Sequence, residues 1–125
     1  MTGVTFVLLC LAGGLGATAR FMLDAAIRTR VTATLPWGTV IINLTGSFLL
    51  GLLTGIATAH ALPDAWKLVV GTGFLGGYTT FSTASFETVR LMQERRYGAA
   101  FANGLGVLGG ATAAAGLGLW CGGLL

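Results

Sequence analysis

An all-α membrane protein of four transmembrane helices, the third broken in mid-membrane, is the fold class that this sequence predicts. Three observations carry it. The 125 residues are 54% hydrophobic and only 9% charged, where a soluble domain has about 25% charged residues. The apolar residues fall into four segments, each long enough for the roughly 20 residues that a bilayer crossing needs. Inside the third lies Gly76-Gly77-Tyr78-Thr79-Thr80-Phe81-Ser82-Thr83, where paired glycines precede a run of hydroxyls and aromatic rings. In hydrocarbon, freed backbone groups and bare hydroxyls persist only when buried in protein or lining a watery path. A span broken there is expected to handle a small polar or ionic species.

The first helix is expected over about residues 4–27. Ala17-Thr18-Ala19 imitates a signal cleavage site, but no basic residue precedes the segment and Arg20 follows at once, so it reads as a retained helix. The second, about 36–59, opens on Pro36-Trp37, a first-turn proline beside an interfacial aromatic. His60 to Asp64, with Pro63, forms a turn. The third covers about 66–92 and contains the break, placed at the glycines. The fourth covers about 97–123. Together they make one domain, 1–125. Short connections predict that sequential helices are antiparallel neighbours.

Small residues recur every four positions on two helices, which puts them on one face. Gly106, Gly110, Ala114, Gly118 and Gly122 read as a packing row. Thr39, Asn43, Ser47, Gly51 and Gly55 differ because three members are polar. That row either satisfies itself between helices or lines a path. Charge is lopsided: Arg28, Arg30, Arg95 and Arg96, with Arg90 nearby, lie at one end and Lys67 alone at the other. The positive-inside bias puts the first and third loops in the cytoplasm and both termini outside.

Several chemistries are excluded. Gly71-Thr72-Gly73-Phe74-Leu75-Gly76 matches a dinucleotide pattern, but no strand or soluble βαβ unit surrounds it. No cysteine–histidine cluster or paired carboxylates exist for a transition metal or acid/base catalysis, so no enzyme is expected. His60 reads as a solvated interfacial residue. Cys10 and Cys121 read as buried free thiols. No basic run for nucleic acid is present.

The polar residues left in the membrane are mostly donors. Asn43 is a primary amide that either bonds a neighbouring helix or contacts an anion. Arg20, deep in the first helix, either snorkels to the surface or stands in an aqueous vestibule. Glu87 pairs with an arginine or faces the same vestibule. Phe81 offers a positive ring edge to an anion. Such a lining suits a small, strongly hydrated anion. Freed carbonyls around the break suit instead a cation held as structure.

With these residues in hand, the chain resembles the CrcB/Fluc family of fluoride channels. The likeness rests on Gly13-Gly14-Leu15-Gly16-Ala17-Thr18-Ala19-Arg20-Phe21, on Gly38-Thr39-Val40-Ile41-Ile42-Asn43-Leu44, and on Gly73 through Thr83. The resemblance implies an antiparallel dimer of four-helix subunits with two fluoride pores in the cell membrane. It implies a structural, non-transported Na⁺ held by the backbone carbonyls of Gly76 and Thr79. It assigns the pathway to Asn43, Phe81, Ser82, Thr83, Thr39, Arg20 and Glu87.

One departure stands out. The family has a second phenylalanine where this chain has Ala84, and a serine of the fourth helix is replaced, at Val107 on this alignment, with Asn103 one turn earlier. Phe86 and Phe101 are the candidates to compensate for the missing ring. The charge bias also sets two assemblies side by side, a homodimer and a heterodimer with an oppositely biased homologue. The main rival function is a small proton-coupled multidrug exporter of the four-helix, dual-topology type. That exporter needs a membrane-embedded carboxylate, and the first helix has no acid before Asp24. A third reading, a non-transporting assembly subunit, leaves the hydroxyl-rich break unexplained.

Overall fold

The computed structural model describes residues 1–31 and 35–125. Residues 32–34, within the first expected loop, lie outside the described residues. Every regular element of the described part is a helix. Helix α1 is Gly3–Arg30 and α2 is Trp37–His60. Helix α3 is a continuous run over 64–78, made of Asp64–Trp66, a π-wound stretch Lys67–Leu75, and Gly76–Tyr78. Helix α4 is Phe81–Gln93, and α5 is Tyr97–Leu124, π-wound over Ala102–Gly106. Three of these, α1, α2 and α5, are each long and apolar enough to cross a membrane.

Local sequence explains the ends. Thr2 caps α1 by accepting from the Thr5 N–H at 3.1 Å, supplying one of the acceptors that a helix start lacks. Arg28 and Arg30 occupy its last turn, where positive charge meets the negative end of the helix dipole. Pro36 sits just before α2 rather than in its first turn, and Ala61 ends α2 in the left-handed region, with φ of 50°. Proline at 63 then forbids continuation.

The packing corrects one expectation. Sequential helices touch, but the closest packing is between non-sequential parallel pairs, α1 with α3 and α2 with α5. Glycine makes both approaches possible. A methyl group at Gly16 would overlap the Phe74 carbonyl, and one at Gly77 would overlap the Gly13 carbonyl. On the other pair, methyls at Gly51 and Gly118 would overlap the carbonyls of Ala115 and Phe48. Without side chains in the way, the backbones come into direct contact, and dispersion replaces the hydrophobic drive that lipid does not supply.

The fourth-helix row is thus used at Gly110, Gly118 and Gly122, while Gly106 meets nothing within 4 Å. The second-helix row divides, with Gly51 and Gly55 packing on α5 and its polar members turned elsewhere. Cys10 and Cys121 are free thiols; Cys10 is exposed, not buried, on the outer side of α1.

Candidate functional site

Helical geometry stops at Tyr78 and resumes at Phe81. Between them Thr79 (φ −82°, ψ 159°) and Thr80 (φ −145°, ψ 120°) are extended. This corrects the expectation that the paired glycines make the break. Gly76 and Gly77 are helical, and Gly77 is small so that α1 can lie against it. The two threonines that follow are the extended residues.

What holds them extended is Asn43, on α2. Its Oδ1 accepts from the Thr80 N–H at 2.8 Å, and its Nδ2 donates to the Thr80 carbonyl at 2.9 Å. One side-chain amide therefore satisfies both backbone groups of a residue that has left the helix, as a neighbouring strand would. Thr80 then caps α4, its hydroxyl accepting from the Thr83 N–H at 3.1 Å. Thr79 folds back, its N–H and hydroxyl both donating to the Leu75 carbonyl at 2.9 and 3.0 Å. Arg20 is also committed here: its Nε donates to the Gly77 carbonyl at 3.2 Å. Neither snorkelling nor an open vestibule alone describes it.

These bonds have a consequence for two carbonyls. In an unbroken helix the Gly76 carbonyl accepts from the N–H of residue 80, and the Thr79 carbonyl from that of residue 83. Both donors are diverted, the first to Asn43 and the second to the Thr80 hydroxyl. Gly76 and Thr79 line the same open groove, about 720 Å³, together with Asn43, Phe81 and Ala84. Among the described residues, no group of His, Cys, Asp or Glu is placed to hold a metal. The oxygens on this groove belong to main-chain carbonyls and to neutral hydroxyl and amide side chains.

A second cavity, about 270 Å³, brings Arg20, Thr39, Thr80 and Thr83 together with Asp24. Thr39 donates to Glu87 Oε1 at 2.6 Å, and both side chains are buried. Glu87 is thus held by a hydroxyl, while Asp24 takes Arg28 at 3.0 Å. Of the expected pathway residues, Asn43, Arg20, Thr39, Thr83 and Glu87 gather around the interruption. Phe81 and Ser82 also adjoin it, Phe81 on the groove and the Ser82 hydroxyl 3.4 Å from that of Thr80, but both are exposed in the single chain, Phe81 by 87%. Neither Phe86 nor Phe101 lines the groove beside Ala84; both are exposed elsewhere. Asn103 does lie beside it, buried, its Nδ2 donating to the Thr88 hydroxyl at 2.8 Å and to the Ala84 carbonyl at 3.4 Å.

Thr80 is the functional residue that sequence reasoning did not single out. Its signal was present, a threonine immediately before a new helix, placed to accept from the N–H three residues on.

The model of the family described as CrcB-like protein, Camphor Resistance (CrcB), matches residues 7–119. The chain belongs to the CrcB family. Proteins similar to it in sequence carry a common name. "Fluoride-specific ion channel FluC 1" of Leifsonia xyli subsp. xyli is 55% identical over 124 residues, covering 99% of this chain and 90% of the relative. FluC 2 of Cutibacterium acnes is 48% identical, covering 93% and 97%. FluC 2 of Mycobacterium tuberculosis is 42% identical, covering 96% and 92%. The matched region of the CrcB model contains every residue of the interruption and of both cavities.

Proposed function

We propose that this chain is a subunit of a passive fluoride channel, a multi-pass protein of the cell membrane that lets cytoplasmic fluoride leave down its gradient. The observation that carries the reading is the Asn43-held interruption at Thr79–Thr80, set among hydroxyls, an arginine and an aromatic ring. A channel needs no nucleotide site or catalytic group. Fluoride clings to water and exchanges it only for strong donors. Asn43 spends one Nδ2 hydrogen on Thr80 and keeps a second. Thr83 and Ser82 add hydroxyls, and Phe81 adds a ring edge.

In this reading α3 and α4 together form one interrupted crossing, so that the chain spans four times. Two such chains pack antiparallel, covering the groove and the exposed Phe81 ring. The carbonyls of Gly76 and Thr79, left without their helical donors, are the ligands of a structural Na⁺, which would neutralise main-chain dipoles at the centre of the assembly. It is not transported. The lopsided arginines set a homodimer beside a heterodimer whose partner has the opposite bias and inserts the other way, and flux from this chain alone separates the two. A proton-coupled exporter fits less well, because Asp24 is paired with Arg28 and Glu87 is bound by Thr39.

Fluoride efflux from liposomes containing the purified chain tests the reading. Asn43→Ala and Phe81→Ile should each lower flux sharply; wild-type flux in both would remove the pathway assignment. Robust flux from this chain alone would show that no second, different subunit is required.

A further inference from the structure

Hydroxyls in the helices fall into two groups. Thr18, Thr54, Thr58 and Thr112, all exposed on the outside, return their protons to the carbonyl four residues back at 2.8–2.9 Å. That is the usual way to carry a hydroxyl in lipid. Ser47 on α2, Thr72 on α3 and Ser85 on α4 make no such bond among the described residues, and all three line the 720 Å³ groove with Asn43 and Thr79. Thr88, also on the groove, is by contrast bound to Ala84 and Asn103. An unspent hydroxyl proton in a membrane needs an acceptor from outside the chain.

The thickness of the membrane bears on which acceptor. The donor-bearing stretch 79–83 covers only about 10 Å, with two extended residues at about 3.3 Å each and the rest at about 1.5 Å. The hydrocarbon core is about 30 Å thick. An anion confined to donors at the break would have about 10 Å of membrane still to cross on either side. Thr72 and Ser47 lie on one side of the interruption and Ser85 on the other. From Thr72 to Ser85 the wall extends over about 20 Å.

Resting on the fluoride-channel reading, we infer that the hydroxyls of Ser47, Thr72 and Ser85 are ligands of the permeating anion. They extend the donor path on both sides of the break. Each can swing between its own helix and the ion, so the ion is handed on rather than trapped.

The test is fluoride efflux from liposomes carrying the full-length protein with Ser47→Ala, Thr72→Val and Ser85→Ala combined. The expected result is a fall in flux of about tenfold or more, with the assembly unchanged on gel filtration. A Thr54→Val, Thr112→Val double variant, altering only outward hydroxyls, should conduct as wild type. Wild-type flux in the triple variant overturns the inference. So does a triple variant that dissociates, since the hydroxyls would then hold subunits rather than the ion. Asn43→Ala in parallel separates the two levels. If Asn43→Ala abolishes flux while the triple variant conducts normally, only this inference falls; if both conduct normally, the assignment of the pathway to the break falls too; and if the unaltered protein releases no fluoride, the channel reading itself falls.

Discussion

Replacing Asn43 by alanine removes the two bonds that keep Thr80 out of the helix. A protein hydrogen bond is worth about 1 kcal/mol net, and a buried backbone group left without a partner costs roughly 1–3 kcal/mol. Loss of both contacts at Thr80, 2.8 and 2.9 Å long, therefore weakens the extended state by about 2–4 kcal/mol. The Thr80 N–H then has one near acceptor, the Gly76 carbonyl four residues back, and taking it would carry the helix through 79–80. At about 1.4 kcal/mol per tenfold, a shift of 2 kcal/mol lowers the interrupted population roughly thirtyfold.

Two assays read this. Hydrogen exchange at the Thr80 amide should change in the variant, and fluoride efflux should fall by an order of magnitude or more. Asn43→Asp is the informative companion, because it keeps an acceptor for the Thr80 N–H and loses only the donor to the carbonyl. It should hold the amide protected while still conducting poorly, a negative charge now facing the path. Unchanged exchange and unchanged flux in Asn43→Ala would refute the argument that this side chain maintains the interruption.

Three further outcomes are expected. Gly77→Ala drives a methyl into the Gly13 carbonyl and should lower the melting temperature in detergent, whereas Gly109→Ala, with nothing within 4 Å, should not; overpacking of this kind costs about 1–3 kcal/mol. Thr39→Val removes the donor that holds buried Glu87 at 2.6 Å and should destabilise the fold by a similar amount, with Thr39→Ser retaining wild-type stability. Phe81→Ile, at a position 87% exposed in the single chain, should leave helix content unchanged while depressing flux; a large loss of helicity would contradict its placement outside the subunit core.

Much of this could be read from the residues, and the failures have physical causes. Hydropathy placed α1, α2 and α5 to within three residues at every end, because lipid imposes length and apolarity together. The polar run pointed to the right neighbourhood, but the glycines misled. Glycine breaks helices in water, where exposed backbone is tolerated; here Gly77 is helical because α1 needs the space. The extended conformation is decided at Thr80 by Asn43, 37 positions away in sequence, and no local propensity encodes that. Arg20 likewise found its acceptor 57 positions away. The pairing of α1 with α3 and α2 with α5 was hidden because short loops say which helices are connected, not which faces are smoothest. Ala84 was legible as a departure and Asn103 as a polar residue near it, but that Asn103 is buried against Ala84 emerged only from the fold.

The central claim is that a small, strongly hydrated anion crosses at the Thr79–Thr80 interruption. Its most direct test is the release of fluoride and of chloride, recorded by ion-selective electrodes, from liposomes holding the protein as purified from its own membrane. The account predicts rapid fluoride release with chloride retained, and loss of that release in Asn43→Ala. Fluoride held back as tightly as chloride, or released equally well by the variant, would contradict it.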